Sequence, residues 1–507
     1  MTRPRLLPWP IFKEFRALSI GWCACALILI VPRLVQAPRY LAVLQVIVYF
    51  VGAAALGAMS VGHEYVDRTL NLLLSLPVRR ERLLVVKLGV LTGMLTTLGV
   101  VAYAWAFPAI FRPGYQAERL ALSLVPVLCG LFLAPWLTMA CRSPTAGTAL
   151  TVAIPVLLAM LGEWIGFSIG DRTFAMTFLW LAASAMCATG AIATSRLFMR
   201  LESIEGCFGD LPLPQLPRLR ARTLPRQPQD RERESHGATA AGASLTKRHP
   251  IWRLFTKELR LQQPVLFITG LYLLGWLVVE LRATDYYIDL NTALSACYAV
   301  LLAALAGSLG SAEERQLGTI EWQVLQPIAM WRQWAVKVAV VLGLPMLLGM
   351  GLPALLAHVA PASVGTRVAG QPLASNVLLL AAVSLYVSSL CGSGAWALVM
   401  SLSVTFGNVI FQNEVMGRAG PEVDAAWMFS GPARAGINLG ASQVVHALDL
   451  LLIAGLIAVL ARFAMANHRT ADRSPRRACT QVILMVVFAA ARVMILSGVA
   501  GWFGASG

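Results

Sequence analysis

The sequence predicts an all-α integral membrane protein, because of its composition, its long uncharged runs and an internal repeat. Of its 507 residues, 58% are hydrophobic and only 13% are charged, and the mean hydropathy is +0.69. Soluble domains are about 45 to 50% apolar and about 25% charged. So few charges cannot coat the surface of a soluble chain of this length, which excludes a soluble globular protein and a disordered one.

Apolar runs of about 17 to 25 residues are long enough to cross a bilayer as helices. In the first half such runs lie at Ser19–Val35, Leu41–Val61, Leu88–Phe111, Leu120–Ala140, Gly147–Phe167 and Thr173–Phe198. In the second half they lie at Val265–Leu281, Asn291–Ser311, Val338–His358, Ala374–Cys391, Ser393–Phe411 and Val444–Ala464. A thirteenth run, Gln481–Trp502, has Arg492 in its middle, and the sequence leaves open whether it is a span.

The basic residues predict the orientation of these spans. Most Lys and Arg residues fall on the side of the N-terminus, and basic loops stay in the cytoplasm. We therefore expect a multi-pass protein with a cytoplasmic N-terminus. The net charge of +16 then follows from topology rather than from nucleic-acid binding, and the lipid bilayer is the expected surrounding.

The sequence shows no pattern typical of a catalytic or metal site. The nine cysteines have no zinc-site spacing, and the histidines are scattered. Carboxylates do not occur in pairs at catalytic spacing. We therefore predict neither catalytic residues nor a metal site.

An internal repeat relates the two halves of the chain. A shift of 250 residues aligns Glu64 with Glu314, Thr69 with Thr319, Pro77 with Pro327 and Lys87 with Lys337. Upstream, a shift of 244 residues aligns Lys13-Glu14 with Lys257-Glu258. An even number of spans in each half gives both halves the same orientation, so the sequence predicts two parallel-repeat bundles of six transmembrane helices each.

The repeat divides the chain into four parts. Residues 1–198 form a first half with a short amphipathic N-terminal helix and six spans, and residues 251–464 form a second half of the same plan. Residues 199–250 are rich in proline and mixed charge, which predicts a flexible cytoplasmic linker. Residues 465–507 contain a basic cytoplasmic loop and the possible extra span.

The segment between the second and third spans of each half is predicted to be a break followed by a short amphipathic helix. In the second half, Gly318 gives a permissive backbone, Thr319 can cap the next turn, and Glu321 suits the positive end of the helix dipole. Proline then ends the helix at Pro77 and Pro327. Lys87 and Lys337 are expected to anchor the next span at the headgroup level.

This segment resembles that of the ABC-2 type permeases, whose pattern is an acidic residue, Gly-Thr-x-Glu, an apolar run ending in Pro, a basic stretch and a Lys. The second half carries it as Glu314, Gly318, Thr319, Glu321, Pro327 and Lys337. The first half keeps Glu64, Thr69, Pro77 and Lys87 but has Arg68 in place of Gly and Asn71 in place of Glu.

The resemblance implies the membrane subunit of an ATP-driven transporter, usually an exporter, in a bacterial cytoplasmic (inner) membrane. It also implies that the two segments, with the acidic, Thr, Pro and Lys residues named above, couple the chain to two separate ATPase subunits. The sequence has no Gly-x-x-x-x-Gly-Lys-Ser/Thr phosphate loop, so the chain is not expected to be an enzyme. ATP and Mg²⁺ would be used by the partner, and this chain is expected to bind no cofactor.

Ionisable residues inside spans are costly and are therefore candidates for a substrate pathway. Here these are Glu163, His446 and Asp449. Two other functions stay open: a secondary transporter with parallel repeats driven by an ion gradient, and a membrane scaffold or sensor that transports nothing. The former needs paired charges near midplane at repeat-equivalent positions, and the sequence shows none.

Overall fold

The computed structural model describes residues 8–34, 41–66, 79–109, 116–169, 172–200, 250–280, 285–318, 328–359, 371–419, 439–469 and 475–505. These residues are almost entirely helical and include no strand. The first half contains α1 (Pro8–Leu34), α2 (Leu41–Val66), α3 (Arg80–Val101), α4 (Gln116–Leu128), α5 (Ala134–Cys141), α6 (Pro144–Ile169) and α7 (Arg172–Arg200). The second half contains α8 (Pro250–Leu261), α9 (Gln263–Glu280), α10 (Asp285–Leu317), α11 (Met330–Leu344), α12 (Leu352–Val359), α13 (Gln371–Leu390), α14 (Gly394–Ala419) and α15 (Leu439–His468), and α16 (Pro475–Ala505) follows.

The lengths and hydropathies of these helices suit a multi-pass membrane protein. Nine described helices are long and apolar enough to cross a membrane, and a tenth span results if the bent pair α8–α9 is counted as one. Three candidate spans contain π-helical turns: Ala102–Ala106 after α3, Cys129–Leu133 between α4 and α5, and Pro345–Gly351 between α11 and α12. The uncertain thirteenth run belongs to α16, whose stretch Arg476–Leu496 is one of the nine.

Helices α2 and α10 lie at the centre of the bundle and are the most buried of the candidate spans. Both carry small residues where other helices cross them. Gly57 of α2 lies directly against the Gly130 carbonyl, and Gly307 of α10 lies against Ala381 and Ser384 of α13. Small residues let helix backbones approach closely, which is how helices associate in a bilayer that offers no hydrophobic driving force.

The two halves contact each other through equivalent helices. Helix α1 packs against α14, and its counterpart α9 packs against α6, while α6 and α14 also contact each other. Helices α2 and α10 meet as well. The contacts between the halves thus recur in matching pairs.

The N-terminal helices of the two halves differ in shape. Pro8–Leu34 is one continuous helix, so the short amphipathic helix expected ahead of the first span is not separate in the first half. In the second half α8 and α9 meet at 56° around Gln262. Pro264 explains the bend, because proline lacks an N–H and its ring collides with the carbonyl four residues earlier. The 244-residue shift places Ile20 at this position in α1, where nothing breaks the helix.

Candidate functional site: two buried charge clusters

The first charge cluster joins three helices of the first half. It consists of Lys13 and Glu14 on α1, His63 and Glu64 on α2, and Lys87 on α3. The ammonium of Lys87 lies 2.7 Å from Glu14 Oε1 and 3.0 Å from Glu64 Oε1, and it donates to the Ser60 carbonyl at 3.2 Å. Lys13 lies at the rim, 3.6 Å from Glu64. One lysine therefore holds carboxylates from two other helices.

The second charge cluster has the same plan. It consists of Lys257 and Glu258 on α8, Glu314 on α10, Lys337 on α11 and His468 on α15. Lys337 is paired with Glu314, lies 3.6 Å from Glu258, and donates to the Gly310 carbonyl at 2.5 Å. Lys257 lies 2.6 Å from the other oxygen of Glu314.

Four members of each cluster occupy repeat-equivalent positions. Lys13, Glu14, Glu64 and Lys87 correspond to Lys257, Glu258, Glu314 and Lys337. Both clusters lie where the chain leaves the second span and enters the third, beside the two segments singled out in the sequence. Each cluster thus fastens together the N-terminal helix, the end of the second span and the start of the third.

The central lysines and glutamates are buried, contrary to the expectation that the lysines reach the headgroup level. Lys87 and Lys337 are only 3% and 2% exposed, and Glu64 and Glu314 are 1% and 0% exposed. Buried charges are tolerated only when they are paired, and removing one partner is strongly destabilising. The lysines are therefore internal partners of the glutamates, and not membrane anchors.

The histidines of the two clusters come from different helices. His63 is adjacent to Glu64, and its Nδ1–H donates to the Met59 carbonyl at 2.9 Å. His468 reaches the second cluster from the end of α15, where its Nδ1 bonds the Ser311 hydroxyl at 2.9 Å. Sequence spacing gave no indication of His468, because only tertiary packing brings the end of α15 to the second cluster.

Of the predicted coupling residues, Glu64, Lys87, Glu314, Gly318 and Lys337 lie in or beside these clusters. Gly318 ends α10 with a positive φ of 67°, a left-handed conformation that glycine adopts without strain. Thr69, Pro77, Thr319, Glu321 and Pro327 lie outside the described residues.

Of the predicted pathway residues, the structure describes the side chain of Asp449. Asp449 pairs with Arg492 of α16, with Oδ1 2.7 Å from Nη2 and 2.8 Å from Nε. This pair explains how α16 can carry an arginine within an apolar stretch. Glu163 lies in α6 and His446 in α15, and both side chains are outside the described part.

A separate buried carboxylate joins the two halves. Glu313 of α10 accepts hydrogen bonds from Ser143 and Thr145 at the start of α6, both at 3.1 Å. Ser143 also caps α6, because its Oγ accepts the Ala146 N–H at 3.2 Å. A carboxylate at a helix N-terminus is favoured by the helix dipole, so Glu313 fastens the second half to the first.

The fold and the charge clusters define the class as a helical protein whose hydropathy suits several membrane crossings. Comparison with protein-family models, with curated proteins and with solved structures finds no match.

Proposed function

We propose that this chain is the membrane-spanning subunit of an ATP-driven exporter of the ABC-2 type, in a bacterial cytoplasmic membrane. It consists of two parallel six-span halves with a cytoplasmic N-terminus. The segments between α2 and α3 and between α10 and α11 receive force from two separate ATPase subunits, which bind and hydrolyse ATP with Mg²⁺. Substrate leaves along the interface between the halves.

The duplicated charge cluster is the observation that carries this proposal. Two copies of the same four charged residues converge at the two places where the sequence resembles the ATPase-contacting segment. Burying charged side chains has a large desolvation cost. Two such sets at equivalent positions therefore suggest a functional role.

The clusters offer a physical route for coupling. Each segment leaves the bundle from Glu64 or Glu314 and re-enters it shortly before Lys87 or Lys337, so both of its ends are tied to one cluster. The same cluster holds the N-terminal helix through Glu14 or Glu258. Because a paired, buried network resists deformation, a push on the segment moves three helices together.

The interface between the halves supports an alternating arrangement. Helices α1, α6, α9 and α14 form matched contacts across it, and Glu313 makes hydrogen bonds across it. Rotation of one half against the other would open one side of this interface and close the other, which is the usual motion of parallel-repeat transporters.

A gradient-driven secondary transporter is the alternative, and the described charges favour it less. The charge pair inside the apolar spans, Asp449 with Arg492, joins α15 to α16 and therefore has no counterpart in a half of six spans. Ion coupling would instead use convergent polar groups near midplane in both halves.

The test is co-purification and reconstitution with a stand-alone ATPase encoded beside this chain. We expect a complex with two ATPase subunits per chain and ATP hydrolysis stimulated by substrate. Glu314→Ala should weaken assembly or uncouple hydrolysis, whereas Glu81→Ala, which removes an exposed acid near the first segment, should not. Transport that runs on an ion gradient without any ATPase would overturn the proposal.

A further inference from the structure

We propose that the first charge cluster is a binding site for one divalent cation of the Zn²⁺ or Mn²⁺ class, held by Glu14, His63 and Glu64. Among the described residues, this is the group of carboxylate and imidazole side chains whose ligand atoms all lie within 4.8 Å of one another. The inference concerns binding alone and does not depend on the proposed transport function.

Four buried side-chain atoms of this cluster have no hydrogen-bond partner. They are Glu14 Oε2, His63 Nε2 and both carboxylate oxygens of Glu64, of which Oε1 lies 3.6 Å from His63 Nε2 and 3.0 Å from the Lys87 ammonium. His63 is 5% exposed and Glu64 is 1% exposed, so these atoms are largely shielded from bulk solvent. Lys87 offsets part of the charge of the two carboxylates, but Glu14 Oε2 and His63 Nε2 have no hydrogen-bond partner of their own, and buried polar groups without partners require an explanation.

The tautomer of His63 suits a metal ligand. A carbonyl can only accept, so the contact with Met59 places a proton on Nδ1, and in the neutral imidazole the Nε2 lone pair then lies on the side of the two carboxylates. Metal-bound histidines usually donate their other ring N–H to a carbonyl or carboxylate in this way, which fixes the ring orientation.

The distances fit one ion. His63 Nε2 lies 3.8 Å from Glu14 Oε2 and 3.6 Å from Glu64 Oε1. Ligands about 2.1 Å from a tetrahedral ion lie about 3.4 Å apart, so small side-chain adjustments would close the site. One imidazole and two carboxylates suit Zn²⁺ or Mn²⁺, whereas Mg²⁺ prefers an all-oxygen set.

Lys87 can stay in place beside the ion. Its ammonium holds Glu14 through Oε1 and donates to the Ser60 carbonyl, while the Oε2 atom of Glu14 points to the imidazole. The ion and the ammonium compete only for Glu64 Oε1, and Glu64 has a second oxygen to offer.

The second cluster is an internal contrast. Both oxygens of Glu314 accept hydrogen bonds from lysines there, and Glu313 takes the place that His63 has in the repeat. His468 lies 4.0 Å from Glu314 and comes from another helix. The same charged residues therefore leave open acceptors in the first cluster that the second cluster fills with a lysine.

The experiment measures metal retained by the full-length chain in detergent. The protein is stripped with chelator, dialysed separately against Zn²⁺, Mn²⁺ or Mg²⁺, and its metal content is determined by mass spectrometry. Mn²⁺ is also followed by its paramagnetic resonance, because the exposed Cys23 and Cys479 have no affinity for it comparable to their affinity for Zn²⁺.

We expect one Zn²⁺ or Mn²⁺ per chain in the wild type and in His468→Gln, with no retained Mg²⁺. Bound metal should raise the Tm of the wild-type protein. His63→Gln should neither retain the ion nor show this rise in Tm. Glu14→Asp, which keeps the charge that Lys87 needs but withdraws the oxygen by one methylene, should lower affinity at least tenfold.

Two results would overturn the proposal. A wild-type chain that retains none of these ions shows that the acceptors are satisfied by a proton on His63. Equal retention in His63→Gln and His468→Gln shows that the ion binds elsewhere. The wild-type measurement stands even if a variant fails to fold.

Discussion

The two charge clusters use the same four residues yet differ in how completely they are paired. In the second cluster Lys257 lies 2.6 Å from Glu314, whereas in the first Lys13 lies 3.6 Å from Glu64 and its side chain is 44% exposed. The first cluster has a histidine where the second has Glu313, which bonds across to the other half. Duplication thus preserves the lysine that ties three helices together, while the residues around it diverge to serve each half separately.

Removing the central lysines should have the largest effect. Lys87→Met and Lys337→Met each leave buried carboxylates without their partner, at a cost of about 3 to 5 kcal/mol in the free energy of unfolding. Lys87→Met should cost more, because Lys257 remains close to Glu314 whereas Lys13 is more distant from Glu64. Detergent-unfolding curves measure both, with the exposed Arg82→Met as a control; a larger loss for Lys337→Met would contradict the comparison.

The ion pair between α15 and α16 comes next. Asp449→Asn leaves the charge of Arg492 without a partner in an apolar stretch, which costs about 2.5 to 3.5 kcal/mol. The double variant Asp449→Asn with Arg492→Leu should recover most of the loss. A double variant no more stable than Asp449→Asn would show that the pair does not hold α16.

Packing at the centre of each half gives a smaller difference. A methyl group on Gly57 would overlap the backbone carbonyl of Gly130 more deeply than one on Gly307 would overlap the Ser384 side chain or the backbone carbonyl of Ala381, which it would meet at 2.6 Å. Both alanine variants should lose about 1 to 3 kcal/mol, with Gly57→Ala the more costly. Gly89→Ala, which meets nothing within 4 Å, should be neutral or slightly stabilising and serves as the control.

The contact between the halves should give the smallest effect. Glu313→Gln replaces a charge-assisted acceptor of two hydroxyls by a neutral one, at a cost of about 1 kcal/mol. In the double variant Glu313→Gln with Thr145→Val, the decrease in Tm should be smaller than the sum of the decreases in the two single variants, since both changes remove the same contact. Fully additive losses would show that the two side chains act independently.

Sequence patterns predicted the helices well, because a helix that crosses a bilayer requires a long uncharged run and such runs can be recognised in the amino-acid sequence. The predicted runs lie on described helices, although several helices extend well beyond them, as α1 does by beginning at Pro8 rather than Ser19, and the doubtful run around Arg492 proved to be part of α16. The break between α8 and α9 was less visible: Pro264 marks it, yet the matching stretch of α1 is continuous.

The candidate site was predicted only in part. The repeat singled out Glu64, Lys87, Glu314 and Lys337 as a set, but it gave no reason to bury the lysines. Their expected position at the lipid headgroups was wrong. A lysine at the end of a span can either extend its ammonium to the headgroups or pair with a buried carboxylate, and the position of neighbouring glutamates determines which of these occurs. The roles predicted for residues 67–78 of the first segment and 319–327 of the second stay predictions, because these residues lie outside the described part of the chain.

By itself the sequence determined that this protein is helical, suited to a membrane and built around a repeated set of charges, since hydropathy and spacing along the chain carry that information. Only the tertiary structure decided that Glu14 and Glu64 meet on one lysine, that His468 joins Glu314, and that Asp449 neutralises Arg492. These contacts join side chains on separate helices, and their distances depend on how helices pack, which no local pattern records.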